Sequence, residues 1–552
     1  MSALGLQSAH DAAHRRHWRG PLAVAAAATL ATVMTLSPAG AGPGITCDEL
    51  YHVEYGKRLV VALRHQGLGF FRAGNIRRNF PWRPDGPPVH PPLGNWLLGW
   101  MHHLFDPAPD DPAAVSILSA RFAPALALGL LAFLVGLYTS AAESPLAGTV
   151  AASATVLAPR VFAHGHLAAL DMLTALGFTA AVLGVAWAGE HGGRLWQFAL
   201  AGCVWGLAVL IRLHGVLVLP PVAVWLLWRR TRKAAAALAV WFAAGVLTLY
   251  AGWPWLWLAP LDHLRQFLHS SLGRQAIHVF YLGQVWADRD VPRHYALVMF
   301  LLTVPLGFLV LGALGIWSKR REWRGKEVSS WWLVLGTLVF VFLALCWPGT
   351  PLYDGVRLFL MVFPLWAVCA GVGAKWAAEH PVWRSAPHWA RAWTLGVLVG
   401  LQGLGVVLHH PCQLSYYNLL VGGLWGAEKL GFEVTYWGDC VREPLLAEAA
   451  RRAPGQRVFL APNLAPFQAV GISISSPSLV RSEVVLVGWD ESLAKSAAGP
   501  RFAVLYNRKA DATGTNVALS MGRVVAEYSQ QGVWLARLVE LRTNSKSPVN
   551  PT

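Results

Sequence analysis

The sequence predicts a mostly α-helical, polytopic membrane protein of about eleven transmembrane helices, with a small C-terminal α/β domain outside the cytoplasm. Three observations predict this fold class. The 552 residues are 55% hydrophobic and 13% charged, whereas soluble domains are ~25% charged. Apolar runs of roughly twenty residues, long enough to cross a ~30 Å hydrocarbon core, recur as far as residue 408. After Pro411 the composition becomes that of a soluble domain.

The first apolar run extends from Pro21 to about Gly40 and follows a short basic segment. Its length suits a membrane span, but its basic start and the small residues near Ala39 also resemble a secretory signal. Cleavage there would detach the acidic pair at residues 48 and 49 from its anchor. We therefore favour an uncleaved first helix.

Ten further spans follow, and their bounds rest on length and hydropathy. The connections near residues 163–167 and 212–214 are so short that they predict tight hairpins or kinks. The predicted spans are 113–139, 145–163, 167–188, 195–212, 214–228, 234–258, 295–317, 331–347, 357–375 and 392–408.

The positive charges indicate the orientation in the membrane. The formal net charge is +16, and the basic clusters occupy connections that all fall on one side, which is typical of cytoplasmic loops and not of a nucleic-acid-binding surface. The N-terminus is then cytoplasmic, in an inner or plasma membrane. The opposite side receives the loop 41–112, the amphipathic loop 259–293 and the tail after residue 408.

Two domains are predicted, a transmembrane domain over 1–408 and an extracytoplasmic domain over 409–552. In the second domain, strands are expected at 457–462, 484–489, 501–506 and 532–541, and helices at 443–453 and 516–530. Cys412 and Cys440 fall in this region and could form a disulfide in an oxidising compartment.

The candidate chemistry begins with Asp48 and Glu49, just after the first span. A carboxylate at this position could act as a general base on an acceptor hydroxyl. The alternative is that the two acids only mark a solvated helix end. About forty residues later, His90 begins a stiff His-Pro-Pro-Leu-Gly turn that restarts a helix. His90 could bind phosphate when protonated or orient a hydroxyl, or it could be incidental to a rigid turn.

Ionisable residues also occur within or at the ends of the spans. Asp171 lies in the fourth span, where a carboxylate suggests function, with a helix-to-helix hydrogen bond as the alternative. Arg121, Arg212 and Arg357 could contact a lipid-linked phosphate. For Arg121 a structural pair with Asp171 or Asp48 is an equal alternative. His164, His166 and Asp171 do not have the spacing of a zinc signature, so no metal ligand is assigned and a divalent cation is left open.

The order of these motifs resembles a known family. The segments 47–59, 90–100, 119–126 and 164–173 (CDELYHVEYGKRL, HPPLGNWLLGW, SARFAPAL and HGHLAALDML) are similar to the protein O-mannosyltransferases. More broadly, they resemble glycosyltransferase family 39 and the bacterial lipid A aminoarabinose transferases, all of the GT-C membrane fold. The resemblance covers about a quarter of the chain, over the first four spans.

The resemblance implies a polyprenyl-phosphate sugar donor, with transfer to an acceptor hydroxyl and inversion at the sugar. It implies that Asp48, together with Glu49, is the acceptor base, and that His90, Arg121 and Asp171 are site residues. The chain departs from the family at Asn95, where the mannosyltransferases carry lysine, and it lacks their large β-trefoil domain.

The sequence thus favours a membrane glycosyltransferase that moves a sugar, with mannose as one candidate, onto a protein or glycolipid acceptor outside the cytoplasm. The alternative is a transporter or flippase for a lipid-linked or anionic substrate, because arginine and aspartate within spans also suit transport. No repeated half with broken helices is visible in the sequence, which weighs against a transporter.

Overall fold

The computed structural model describes residues 17–81, 86–111, 115–230, 233–320, 328–383, 385–496 and 498–542. Within these ranges a bundle of apolar helices is joined at one end by a domain built on a β-sheet. The helices are α1 (Arg19–Met34), α2 (Glu49–Gln66), α3 (Ala73–Asn79), α4 (Leu93–Phe105), α5 (Ile117–Ala120), α6 (Phe122–Ala142), α7 (Pro145–Val156), α8 (Pro159–His164), α9 (Leu170–Glu190), α10 (Leu195–Ile211), α11 (Leu219–Trp228), α12 (Ala234–Gly252), α13 (Pro254–Leu258), α14 (Pro260–Leu272), α15 (Tyr295–Thr303), α16 (Leu306–Ser318), α17 (Ser330–Leu345), α18 (Val362–Ala378), α19 (His388–Gln402), α20 (Leu404–Leu408), α21 (Gly423–Lys429), α22 (Glu443–Arg452), α23 (Pro466–Ser475), α24 (Pro477–Arg481), α25 (Glu491–Lys495) and α26 (Thr513–Met521).

Among the described residues, four helical segments are long and apolar enough to cross a membrane, or five if one bent pair counts as a single span. The four segments are Ile117–Ala142, Leu170–Glu190, Ala234–Gly252 and Trp389–Leu408. Six shorter apolar helices of 10–17 residues coincide with the other predicted spans. The total of about eleven spans stays a prediction.

The bent pair corrects one predicted span. The sequence predicts a continuous helix over 295–317, but α15 and α16 meet there at an angle of 114°. Val304 and Pro305 lie at the break, and Val304 is extended. A proline lacks the N–H that would continue the helix and drives the residue before it out of the helical conformation.

The described residues of the loop 41–112, which are 41–81 and 86–111, are largely helical and pack closely against the bundle. A Cβ added to Gly99 on α4 would lie 2.2 Å from the carbonyl oxygen of Gly56 on α2, so these two helices cross almost backbone to backbone. A Cβ added to Gly94 would lie 2.6 Å from Leu170 at the start of α9. These contacts fix the ends of α2, α4 and α9 close together, where the candidate residues lie.

The C-terminal domain contains a five-stranded sheet in the order β4-β3-β5-β7-β6. The first three strands in that order are parallel, and β7 and β6 are antiparallel to their neighbours. A separate antiparallel hairpin, which was not predicted, follows α14. The strands are β1 (His278–Tyr281), β2 (Gln284–Ala287), β3 (Arg457–Ala461), β4 (Val485–Gly488), β5 (Phe502–Tyr506), β6 (Gly522–Gln530) and β7 (Val533–Leu541).

Four strands and α22 lie where the sequence predicts them, but the predicted helix over 516–530 is wrong in its second half. Helix α26 ends at Met521, and Gly522–Gln530 form β6. Gln531 and Gly532 both have positive φ, 49° and 76°, and they close a two-residue hairpin between β6 and β7. Pairing with β7 therefore overrides the helical pattern.

Two further predictions are affected by the structure. Cys412 and Cys440 are separate buried thiols, whose sulfur atoms donate to the carbonyl oxygens of Asp439 (3.8 Å) and Leu535 (3.3 Å), so the disulfide is not formed. The membrane orientation stays a prediction, as does the domain division at residue 408. The basic clusters that predict the orientation lie partly outside the described residues, at 1–16, 231–232, 321–327 and 384.

Candidate functional site

A cavity of about 950 Å³ lies between the end of the helix bundle, the segment after α14 and the C-terminal domain. Of the predicted site residues, Asp48, His90, Arg212 and Arg357 line this cavity. Asp171 pairs with Arg212 and lies 3.6 Å from Arg357. The other two predicted residues, Glu49 and Arg121, do not line it.

Asp48 precedes the first turn of α2 and carries the most accessible carboxylate of the cluster. Its Oδ2 accepts a hydrogen bond of 2.7 Å from Nη2 of Arg357, and its side chain is 27% exposed. Burial favours the neutral carboxyl, but the attraction of Arg357, with a smaller one from His52, outweighs it and holds the pKa of Asp48 below its ordinary value. The group is therefore an ionised carboxylate facing the cavity.

Arg357 is the centre of the cluster. It lies in the turn before α18, and its guanidinium stacks on the ring of Trp437 at 4.1 Å. Besides Asp48, it donates 2.9 Å to Oδ2 of Asp354 and places Nε 3.6 Å from Oδ1 of Asp171. Three carboxylates thus surround one buried guanidinium, which lines the cavity.

Asp171 is in the first turn of α9 and pairs with Arg212, which follows α10. The distance from Nη1 of Arg212 to Oδ1 of Asp171 is 2.5 Å. Oδ2 of Asp171 is buried and accepts no hydrogen bond from the described residues. A buried carboxylate that keeps an unused acceptor atom between two arginines can receive a ligand hydroxyl or a water molecule.

Glu49 and Arg121 form a separate, fully buried pair. Arg121 donates five hydrogen bonds: two to Glu49, at 2.7 and 2.8 Å, and three to the carbonyl oxygens of Leu36, Pro43 and Gly44. Glu49 also accepts from the backbone N–H of Ala168 at 2.8 Å. This arrangement corrects the placement of both residues at the reacting centre. The structural alternative for Arg121 fits the geometry, with Glu49 as its partner in place of Asp48 or Asp171.

His90 lies beside His52 at the rim of the same cavity. The two ring centroids are 5.6 Å apart, and Nδ1 of His52 lies 3.0 Å from Oδ1 of Asn95. Burial, together with the charges of Arg212 and Arg357, lowers the pKa of His90 well below its ordinary value. A neutral imidazole can orient a hydroxyl group but gives no positive charge to a phosphate. Burial therefore favours the hydroxyl-orienting interpretation of His90 over the phosphate-binding one, and its role stays a prediction.

The metal interpretation of His164, His166 and Asp171 finds no support in the geometry. His166 is held by Thr35 at 2.9 Å and by the carbonyl oxygen of Phe162 at 3.0 Å, so its ring does not turn toward Asp171. Within the described ranges, no group of three or more His, Cys, Asp and Glu side chains is arranged to hold a metal ion.

Three residues of the cluster carry no signal in the sequence that would assign them to it. Trp437 and Arg508 belong to the C-terminal region, and Asp354 stands in a turn next to Arg357. The pattern Asp-Gly indicates a tight turn at Asp354, and both residues indeed have positive φ, 55° and 66°. The turn was predictable, but the partners it brings to the site were not.

The comparisons with known proteins agree with the resemblance in the sequence. Residues 89–257 match the family described as dolichyl-phosphate-mannose-protein mannosyltransferase. The fold is similar to that of ArnT from Cupriavidus metallidurans in the apo state, with a TM-score of 0.53, 16% identity, and coverage of 94% of this chain and 96% of that chain. The same protein bound to undecaprenyl phosphate gives a TM-score of 0.51 at 16% identity, with coverage of 96% and 98%.

No curated protein matches the sequence. The family match and the ArnT fold confirm that the chain resembles the GT-C membrane glycosyltransferases of the family 39 type. Several helices in the described part of the chain are long and apolar enough to span a bilayer, as an integral membrane protein requires.

Proposed function

We propose that this GT-C membrane protein transfers a sugar from a polyprenyl-phosphate donor to an acceptor hydroxyl, with inversion at the anomeric carbon. The observation that carries the proposal is the pair of Asp48 and Arg357, 2.7 Å apart at the base of the cavity. Asp48 can take a proton from an acceptor hydroxyl, and Arg357 can stabilise a departing phosphate. The cavity lies at one end of the bundle, where we place the extracytoplasmic side.

Inversion requires the acceptor oxygen and the leaving phosphate to lie on opposite faces of the sugar ring. Asp48 and Arg357 therefore have to separate when the sugar enters between them. The donor phosphate is the natural competitor, because an arginine binds phosphate as strongly as it binds a carboxylate. When Arg357 turns to the phosphate, Asp48 loses its positive neighbour and becomes a stronger base. Donor binding thus prepares the base for the acceptor.

The remaining groups have supporting roles in this mechanism. Arg212 holds Asp171 in place and adds positive charge beneath the phosphate. The unused Oδ2 of Asp171 can accept a hydroxyl of the sugar. Neutral His90 can orient the acceptor or the sugar from the rim. The aromatic ring of Phe467 lines the cavity and stacks on Tyr51, and its other face can receive a sugar ring.

The alternative of a transporter or flippase is less well supported. A transporter site is expected near the middle of the membrane, between repeated halves. Here the charged cluster lies at one end of the bundle, under a second domain. The acceptor can be a protein or a glycolipid, and mannose is one candidate for the sugar.

The proposal can be tested with purified protein in lipid and a panel of radiolabelled polyprenyl-phosphate sugars that includes mannose. Release of sugar from the lipid is compared between the wild type, Asp48→Asn and Glu54→Gln. Glu54 is exposed on the same helix and serves as the matched control. We expect release by the wild type and the control, and a loss of at least ~100-fold in Asp48→Asn, in line with removal of a general base.

Equal release by wild type and Asp48→Asn would exclude Asp48 as the base. An absence of release with every donor, in protein that still binds the lipid, would reject the glycosyltransferase and favour transport.

A further inference from the structure

Arg508, in the C-terminal domain, is bonded to several segments around the cavity. It follows β5, and its side chain is 3% exposed. It donates to Oδ1 of Asp354 at 2.8 Å, to the carbonyl oxygen of Tyr436 at 2.6 Å, to that of His278 at 3.2 Å and to Oδ2 of Asp511 at 2.7 Å. One side chain therefore joins the membrane bundle, the segment after α14 and the sheet domain.

Asp354 is the link between Arg508 and the reacting groups. Its Oδ1 accepts from Arg508, while its Oδ2 accepts from Arg357 at 2.9 Å and from Nε1 of Trp437 at 3.1 Å. Its backbone has φ of +55°, a conformation that few residues other than glycine adopt. Such a conformation persists where surrounding contacts hold it, and here Arg508 and Trp437, both from the C-terminal region, supply them.

We infer that Arg508 is a positioning residue, which acts through Asp354 to hold the guanidinium of Arg357 at the cavity, beside Asp48 in the free protein and in place to receive the donor phosphate. The inference rests on the proposed function, in which Arg357 stabilises the phosphate and Asp48 is the base. The carboxylate of Asp354 is shared by two arginines. Without Arg508, Arg357 alone balances that charge and is drawn toward Asp354 and away from Asp48. The C-terminal domain is then part of the active site, and not only a cap over it.

The consequence is measurable at Asp48 itself. The charged and titratable groups that face Asp48 come from several elements, and Arg357 gives the strongest attraction among them. These groups are Cys47, Tyr51, His52, Asp171 and Arg357. Arg508 is not among the groups that shift the pKa of Asp48, so a change at Asp48 in its variants reports mainly the position of Arg357.

The experiment compares Arg508→Gln, Arg508→Lys and the matched control Arg537→Gln in the full-length protein in lipid. Arg537 pairs with Glu527 at 2.7 Å on the neighbouring strands of the same domain, away from the cavity. Two readouts are taken: sugar transfer as a function of pH, and the titration of the Asp48 carboxylate by infrared difference spectroscopy, with Asp48→Asn identifying its band.

We expect Arg508→Gln to lower kcat by ~100-fold, as a misplaced catalytic group does, with a much smaller change in KM for the donor. We also expect the acid limb of the pH profile and the Asp48 titration to move to higher pH. Arg508→Lys should return both toward the wild type, and Arg537→Gln should leave both unchanged. Thermal unfolding of each variant monitors the folded fraction.

Active, folded Arg508→Gln protein with an unshifted Asp48 titration would overturn the inference, and so would a loss of kcat with no movement of the acid limb. If the wild type transfers no sugar, the proposed function fails. In that case a shifted Asp48 titration in Arg508→Gln still supports the positioning role, and an unshifted one rejects it.

Discussion

The same substitution, acid to amide, is expected to lower stability at Glu49 and activity at the adjacent Asp48. Glu49→Gln removes the counter-charge of Arg121, and both side chains of that pair are fully buried, at 0% exposed. Breaking a buried pair by removing one partner costs about 3–5 kcal/mol, because the remaining charge stays buried. We therefore expect Glu49→Gln to lower the free energy of unfolding by about that amount.

Asp48→Asn is the matched control on the neighbouring residue. Its side chain is 27% exposed, and Arg357 keeps its bond to Asp354, so the loss of stability should be about 1 kcal/mol or less. The assay is chemical denaturation in detergent micelles, followed by tryptophan fluorescence, with sugar transfer measured on the folded fraction. Folded Glu49→Gln should transfer sugar, and Asp48→Asn should not.

The reasoning would be refuted by a Glu49→Gln variant as stable as the wild type. It would also be refuted by the reverse pattern, in which Glu49→Gln is folded but inactive and Asp48→Asn is active. The second result would assign the base to Glu49.

Three other predictions follow from the same geometry. Arg357→Gln should lower kcat ~10²–10³-fold. Because the charge of Arg357 holds the pKa of Asp48 down, this substitution should also move the acid limb of the pH profile to higher pH. An acid limb that does not move would contradict the pairing of Asp48 with Arg357. Gly99→Ala should destabilise the protein by about 1–3 kcal/mol in thermal unfolding, since the added Cβ meets the backbone of Gly56, whereas no effect would mean that the helices separate freely. Burial raises the pKa of Asp439 to about 7, so ionisation of Asp439 lowers the free energy of unfolding as the pH rises. Asp439→Asn should therefore raise the free energy of unfolding by about 2–4 kcal/mol at pH 8 and by much less at pH 5. An equal increase at both pH values would reject this account.

Much of the helical bundle could be predicted because the lengths of the apolar runs constrain it strongly. The helices of the bundle lie within a few residues of the predicted spans. The exceptions have local causes, such as the bend at Pro305. The strand β6 could not be predicted from its own residues, because pairing with β7 across the turn at Gly532 decides its conformation.

The candidate site could be predicted in part for a topological reason. Asp48, Asp171, Arg212 and Arg357 all fall at helix ends on one side of the bundle, so counting spans brings them together. The direction in which a side chain points is not contained in that count. Glu49 follows Asp48 directly, yet on a helix neighbouring side chains are about 100° apart, and Glu49 turns to Arg121.

The site residues from the C-terminal domain could not be predicted from the sequence for a different reason. Arg508 contacts Asp354, which is 154 positions earlier in the chain. No local pattern marks either residue as a partner of the other. Only docking of the second domain on the bundle creates the contact.

The short helices of the bundle affect the lipid as well as the protein. Helices α1 and α10 have 16 and 17 residues, which gives lengths of only ~24–26 Å beside a hydrocarbon core of ~30 Å. Lipid next to such helices thins to match them, or flanking side chains reach outward to the headgroups. Thinning draws the headgroup layer inward around these helices. Under the proposed function the donor phosphate is carried in that headgroup layer, so the short helices set the depth at which it meets Arg357.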